Sequence, residues 1–294
     1  MKILCCGIGS IGLKHIGNLN LLGYMVDTCD PNGGDIKDMY ELGLTCDYDL
    51  VLICTPKEHH IEALHFFNDR KVPYIFIEKP LCELEPTNKH LIDNGYTQIV
   101  MKELTSQVMM GYNYRFDRGI KKLKECLPRV GKILYASLEN GYAFEKLKRV
   151  KEQDYHILLD DIHIVNIARW LFGEPTNVNK GYITPETANF SMEFISKEFP
   201  FPVFIHTDCV NQRYKKRIEV RGSEGNLVWN YAEHELFFCP ADETTRRALP
   251  YQNAHMLMEE MKYIVDCVEN KKPFEINTLE DGERDMQIVR SLIG

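Results

Sequence analysis

The glycine-rich turn Gly7-Ile8-Gly9-Ser10-Ile11-Gly12 follows an apolar strand and opens a helix. In that setting each glycine has a mechanical task. The first permits the tight turn, the second lets the backbone approach a pyrophosphate, and the third lets helix and strand pack closely. The amide-rich first turn at Gly9, Ser10 and Ile11 is then aimed at the phosphates. Asp30 lies eighteen residues after Gly12, at the end of the next strand. A carboxylate there can accept hydrogen bonds from an adenosine ribose and repels a 2′-phosphate, which favours NAD over NADP. Asp27 is an alternative on the same strand, and a strand-end aspartate can also serve only as a turn former.

Two further places could carry chemistry. His163 lies three residues after Asp160 in a stretch that reads as one helix over 158–172, so both project from one side of it. A histidine beside a carboxylate is a tunable acid/base near neutral pH, although a helix histidine can equally be just hydrogen-bonded. Lys79, in Glu78-Lys79-Pro80, stands at the carboxyl end of a parallel strand, where open α/β sheets bind ligands. The plainer alternative is a solvated loop lysine. Hydride transfer needs a nicotinamide held against a carbon, a group to move the hydroxyl proton, and a positive partner for the oxygen. Lys79 and His163 can supply the last two. His156, Asp160 and His163 also follow an i, i+4, i+7 stripe of metal-ligand types. Nicotinamide chemistry needs no metal, and none is expected. His59, His65, His90, His206, His234 and His255 read as structural or surface residues.

The elements that must position these groups alternate in the first half. Strands are predicted over 2–6, 24–30, 50–55 and 74–77, with helices over 11–22, closed by Gly23, and 60–69. Strand–helix alternation of this kind implies a doubly wound parallel sheet, and the unbroken apolar run 50–55 fits a strand covered on both faces. Residues 84–111 are predicted to hold a helix through Leu91 and strands at 98–101 and 107–110. Beyond them come a strand over 132–140, the helix 158–172 stopped by Gly173 and Pro175, and strands over 190–195, 203–210, 217–221 and 227–231. The last two flank the hairpin signal Gly222-Ser223-Glu224-Gly225. Helices at 256–268 and from Leu279 close the chain. The expected architecture is α/β: a Rossmann domain over 1–112, then an α+β domain over 113–294 with a mostly antiparallel open sheet and helices on one face.

The chain has 294 residues, 44% hydrophobic and 27% charged, with a net charge of −8, an ordinary soluble composition. The charge is spread without basic blocks, so no nucleic-acid partner is expected. No apolar run approaches the ~18 residues that cross a bilayer, so no membrane is expected either. The ten cysteines include no CxxC pair and read as buried, reduced thiols. With Met1-Lys2 running straight into a strand, the expectation is a cytoplasmic protein.

Together with the glycine motif, Cys54-Thr55-Pro56, His60, Glu78-Lys79-Pro80 and Gly111-Tyr112-Asn113-Tyr114-Arg115-Phe116 form a distinctive series. It continues through Asp160-Asp161-Ile162-His163, Trp170-Leu171-Phe172-Gly173 and the hairpin from Arg217 to Gly225. The series resembles the glucose–fructose oxidoreductase/inositol dehydrogenase (Gfo/Idh/MocA) family, in order and over nearly the whole chain. Gly9-Ser10-Ile11-Gly12-Leu13-Lys14-His15 is similar to a branch tied to surface-polysaccharide sugars and their nucleotide-linked forms. The resemblance implies that Thr55, Pro56 and His60 border the nicotinamide-ribose side of the cofactor. It places Glu78 and Lys79 beside the nicotinamide, with Lys79 reaching the substrate oxygen, and Asn113 and Arg115 lining the cleft between domains. It implies an NAD-dependent dehydrogenase or reductase for a sugar, cyclitol or nucleotide-linked sugar. The antiparallel sheet is expected to expose Tyr, Phe and Val on one face, and a broad apolar face usually finds a partner, so a homodimer or homotetramer through it is expected. Two departures stand out. Asp154-Tyr155-His156-Ile157 occupies a shortened segment where the branch has glycines, and Asn166 stands where an aspartate is usual. They leave open a catalytically silent, dinucleotide-binding sensor, or a reductase for a non-sugar carbonyl or linear tetrapyrrole.

Overall fold

Ile3-Leu4-Cys5-Cys6, Leu50-Val51-Leu52-Ile53 and Tyr74-Ile75-Phe76-Ile77 have apolar side chains at every position, a pattern satisfied by burial on both faces. In the computed structural model, which describes residues 1–43, 46–84, 104–152 and 156–294, they form β1 (Ile3–Cys6), β3 (Leu50–Ile53) and β4 (Tyr74–Glu78), buried throughout. With β2 (Val26–Cys29) and β5 (Gln107–Gly111) they make an all-parallel sheet in the order β2-β1-β3-β4-β5. Helices α1 (Ser10–Leu21) and α2 (His60–Asp69) are the crossovers, and Gly23, at φ +91°, follows the end of α1. The strand order reverses between β1 and β3. In open parallel sheets that reversal is where ligands bind, outside the strands' carboxyl ends.

The chain divides into two compact units, residues 1–113 with 255–286 and residues 114–254 with 287–294. The sequence pattern places the boundary after residue 112, with the last helix the candidate to pack back on the first domain. Helix α7 (Met256–Glu269) instead packs with α1 in the first unit.

The second unit is built on an eight-stranded sheet in the order β13-β12-β11-β10-β6-β9-β8-β7. Its strands are β6 (Ile133–Ala143), β7 (Asn177–Ile183), β8 (Thr187–Ser196), β9 (Phe199–Asn211), β10 (Lys215–Gly222), β11 (Gly225–Asn230), β12 (Glu235–Pro240) and β13 (Arg247–Ala248). β6 and β9 run parallel and the other neighbours antiparallel, and Gly222 pairs with Gly225 across the expected hairpin. Helices α3 (Arg118–Cys126), α4 (Phe144–Glu152), α5 (Ile157–Asp160) and α6 (His163–Phe172) complete the unit, and α8 (Leu279–Ile293) ends the chain. β7 has no apolar alternation and lies exposed at the sheet edge, which is why its pattern is silent in the sequence. The helix expected through Leu91, the strand expected over 98–101 and residues Asp154-Tyr155 lie outside the described residues.

The period-2 alternation sends Leu138, Val203, Ile205, Phe190, Met192, Ile218 and Val220 into the core. The opposite face exposes Phe204 and Ile195, in line with the expected apolar surface, but sets them among charged residues. Register places Asn189, His206, Glu139 and Arg217 in one row and Ser191, Phe204, Ser137 and Glu219 in the next. Arg217 and Arg221 both pair with Glu219, and Lys215 pairs with Glu139. Tyr135 and Phe204 stack among these charges, so the face is mixed polar.

On α7, Glu260 has 0% exposure, and neither of its carboxyl oxygens has a hydrogen-bond partner among the described residues. Burial, reinforced by the charge of Glu78, pushes its pKa well above the ordinary carboxyl value of 4.5. A group that keeps its proton in the folded state and loses it in the unfolded one makes stability fall as pH rises past the unfolded value. Glu260→Gln is therefore expected to shrink the loss of melting temperature between about pH 5 and pH 8, at roughly 2–4 °C for each kcal/mol. Thermal melts with parallel pH slopes in the variant and the wild-type chain would rule Glu260 out as the source.

Candidate active site

At the end of β1 the chain turns with Gly7 at φ +92°. A Cβ on Gly7 would lie 2.5 Å from the Cys54 carbonyl oxygen, and one on Gly12 would lie 2.0 Å from the Gly7 oxygen. No side chain fits at either place. Gly9 differs, with nothing within 4 Å of where its Cβ would stand. It caps α1 in extended conformation, and the first turn holds no acidic residue and no side-chain cap. The Ser10 and Ile11 amides thus begin a helix whose positive end faces open space, an arrangement suited to a phosphate anion. Asp30 ties the end of β2 to this turn. Its Oδ2 accepts from the Ile8 N–H at 3.0 Å and its Oδ1 from the Asn32 N–H at 2.8 Å. The alternative, Asp27, is exposed and accepts from the Tyr48 hydroxyl at 3.0 Å. The residues present fit a dinucleotide: an open anion cradle, close backbone packing beneath it, and a carboxylate at the end of the neighbouring strand.

Thr55 and Pro56 follow β3, and Glu78 and Lys79 end β4, so the sheet brings them to the same edge as the glycine turn. The Thr55 hydroxyl is buried with no partner among the described residues, while Pro56 is exposed. His60, the first residue of α2, is 1% exposed. Its Nδ1 lies 2.8 Å from the Pro80 carbonyl oxygen and its Nε2 2.9 Å from that of Thr55. Burial pushes its pKa down against the pull of those two carbonyls. His60 is therefore a clamp between the loops that follow β3 and β4. Glu78 is 5% exposed, and its Oε1 lies 2.7 Å from Nε2 of the fully buried His15 on α1. A carboxylate only accepts, so Nε2 carries the proton. Oε2 of Glu78 accepts from the Lys79 N–H at 3.1 Å, which fixes the backbone from which the half-buried Lys79 side chain departs.

In the second unit the expected single helix over 158–172 is two. α5 ends at Asp160, and α6 begins at His163. The cause is Asp161, 0% exposed, which accepts from Tyr142 and Thr207 hydroxyls at 2.6 Å each and from Asn140 Nδ2 at 3.0 Å. Holding that carboxylate against β6 and β9 breaks the helical run. Desolvation raises the Asp161 pKa, opposed by Lys146, by the two hydroxyls and by Lys216. The expectation that Asp160 and His163 share one continuous helix side is thus corrected, and Asp160 is ion-paired with Lys146. The same break undoes the metal stripe, because His156 Nδ1 accepts from the Leu158 N–H as the α5 cap. Among the described residues no group of three or more His, Cys, Asp or Glu is placed to hold a metal ion.

His163 is 5% exposed and stacks on Tyr114, with ring centroids 4.4 Å apart. Arg115 was expected to meet a ligand. It is 5% exposed, and its Nε donates to Asn166 Oδ1 at 2.8 Å, bracing the helix that carries His163. That contact also accounts for Asn166, whose amide oxygen accepts where a carboxylate would otherwise sit. Asn113 Oδ1 is buried without a hydrogen-bond partner among the described residues. Sequence reasoning passed over His15, Asp161, Tyr114 and Lys216. A signal existed for Lys216: extending the alternation of Ile218 and Val220 back by two points a lysine inward.

No protein-family model matches the chain. It is 24% identical to the myo-inositol 2-dehydrogenase of Thermotoga maritima, over 96% of this chain and 92% of that protein. An oxidoreductase from Agrobacterium radiobacter, solved in complex with NAD+, L-tartaric acid and magnesium, superposes with a TM-score of 0.76 at 14% identity, covering 98% of this chain and 94% of that one. A UDP-N-acetylglucosamine 3-dehydrogenase from Acidithiobacillus ferrooxidans does so with a TM-score of 0.76 at 17% identity, covering 100% and 97%. The chain thus shares the fold of these solved oxidoreductases, a parallel sheet of Rossmann type followed by a mostly antiparallel one.

Proposed function

We propose that the protein is an NAD-dependent oxidoreductase acting on a CH–OH group of a sugar, a cyclitol or a nucleotide-linked sugar. The observation that carries this reading is the open anion cradle at Gly9 and Ser10, set at the sheet reversal with Glu78 and Lys79 on the same sheet edge. The activities named for the relatives support the substrate class. When bound, the nicotinamide supplies hydride exchange with a carbinol or carbonyl carbon. The glycine turn and the α1 amides hold the pyrophosphate, Asp30 faces the adenosine ribose, and Thr55, Pro56 and His60 shape the nicotinamide-ribose side. Lys79 stabilises charge on the substrate oxygen and His163 takes or returns its proton, with Asp160 nearby in sequence and Asn113 on the substrate side. A sensor that binds the dinucleotide without turnover is the second reading, favoured by the segment in which Asp154-Tyr155-His156 replaces glycines.

The ten cysteines are all free, and Cys5, Cys6, Cys29 and Cys54 are among the buried ones, which supports a reducing, cytoplasmic setting. No helix among the described residues is long and apolar enough to cross a membrane. The partner proposed for the open sheet face is a second copy of the chain, because rows of arginine and glutamate can pair with themselves about a two-fold axis.

Absorbance at 340 nm is expected to report NAD reduction with at least one member of a panel of sugars, inositols and UDP-sugars. Lys79→Ala should lower kcat by about 10²–10⁴-fold while NAD binding persists. Turnover unchanged in Lys79→Ala would sink the catalytic assignment, and binding with no turnover across the panel would favour the sensor. Gly12→Ala is expected to abolish NAD binding, since its Cβ meets backbone; calorimetry showing wild-type affinity would contradict the cradle. Light scattering at micromolar concentration should give at least a dimer, and a monomer would remove the proposed role of the sheet face.

A further inference from the structure

Two of the cysteines meet across the first pair of strands. Cys6 on β1 and Cys29 on β2 are register partners, so both side chains leave the same face of the sheet. Neighbouring strands stand about 4.8 Å apart, and a disulfide joins residues whose Cα atoms are about 4.4–6.8 Å apart. A hydrogen bond between the two thiols, together with burial, raises Cys6 well above the ordinary thiol value of 9.0. The same bond lowers Cys29 below that value, against the pull of burial. Cys5 and Cys54, on the opposite face, also share a hydrogen bond, but they are not register partners. Cys5 pairs with Leu52, two residues before Cys54. Two steps along a strand put the Cα atoms about 8 Å apart, beyond what a disulfide spans. The residues that follow Cys6 and Cys29 are Gly7 and Asp30, and the Gly7 N–H donates to the Cys29 carbonyl at 2.9 Å.

We propose that Cys6 and Cys29 are a redox-sensitive thiol pair, closed to a disulfide by a peroxide, and that closure weakens binding at the adjoining glycine turn. The second half rests on the reading of that turn as a dinucleotide site. Cys29 is the attacking thiol. It lies on the edge strand and is 6% exposed against 2% for Cys6, and thiolate character with access sets susceptibility to oxidation. Its sulfur attacks one peroxide oxygen and the O–O bond breaks. The departing hydroxide takes the Cys29 proton as water, leaving a sulfenic acid. The Cys6 sulfur then attacks that of Cys29. An S–S bond forms, the S–O bond breaks, and the sulfenic hydroxyl leaves with the Cys6 proton as a second water. The pair gives up two electrons, and the peroxide is reduced to two waters. Transient disulfides of this kind serve as redox signals in reducing compartments. A disulfide holds its Cβ atoms about 3.8 Å apart, roughly 1 Å closer than the strand spacing. Drawing the two cysteines together moves Gly7 and Asp30, and with them the bond from the Ile8 N–H to Asp30 at 3.0 Å. The open cradle belongs to the reduced form.

The test is to expose the whole wild-type chain to hydrogen peroxide, block the remaining thiols, and map its peptides by mass spectrometry without reductant. A cross-linked pair is expected, with fragmentation placing the bond between Cys6 and Cys29, and dithiothreitol should separate it. No cross-link, or one that runs from either residue to Cys5, Cys46 or Cys54, overturns the proposal without any variant having to fold. Cys5→Ala should keep the cross-link and Cys29→Ala should lose it. Calorimetry with NAD then tests the second half. The oxidised chain is expected to bind more weakly by about 5–150-fold, the usual span for coupled sites, with affinity restored by dithiothreitol and unaffected by peroxide in Cys29→Ala. Equal affinity in the oxidised and reduced chains overturns the coupling. A cross-link in a chain that binds NAD in neither form removes the dinucleotide reading and the coupling with it, and leaves the thiol pair standing.

Discussion

Where β1 runs out, the chain turns back over the end of β3 with only backbone between them. The missing Cβ atoms of Gly7 and Gly12 let the turn, the start of α1 and the Cys54-Thr55 peptide occupy one small volume. Everything at this edge of the parallel sheet follows from that approach. It draws the α1 amides to the reversal of strand order and sets the Ile8 amide within reach of Asp30. It also seats His15 one turn into the helix, where its ring meets Glu78 at the end of β4. A side chain at either glycine would have to displace backbone, and backbone at the ends of buried strands has nowhere to go.

The second unit is organised by buried charge. An uncompensated ion in a protein interior costs several kcal/mol, so each must bring its own partners. Asp161 gathers donors from two strands, and Lys216 is surrounded by aromatic faces. Such groups fix geometry in a way that apolar packing does not, because a displaced carboxylate loses several directed bonds at once. Arg115 and Asn166 add one more directed contact to the same helix.

The first sheet was legible because its strands are apolar at every position and its turns carry glycine, signals that need no knowledge of tertiary contacts. The predicted helix over 60–69 matches α2, and the hairpin after Gly222 closes as its residues suggest. Legibility failed where a single side chain's environment decides the backbone. Nothing local distinguishes Asp160 from Asp161, yet one sits beside Lys146 near the surface and the other, fully buried, interrupts a helix. The polar face of the large sheet was also missed. Its composition depends on register across β8, β9, β6 and β10, which sequence fixes only through pairing.

The interruption at Asp161 also changes the electrical setting of one residue. In an unbroken helix over 158–172, His163 would sit past the first turn, where amide and carbonyl dipoles on either side largely cancel. As built, it is the first residue of a ten-residue helix, at the end where the backbone dipoles turn their positive side outward. A helix interrupted over two residues thereby makes its histidine the opening residue of a new segment, so the ring leaves the backbone from a first turn and not from mid-helix.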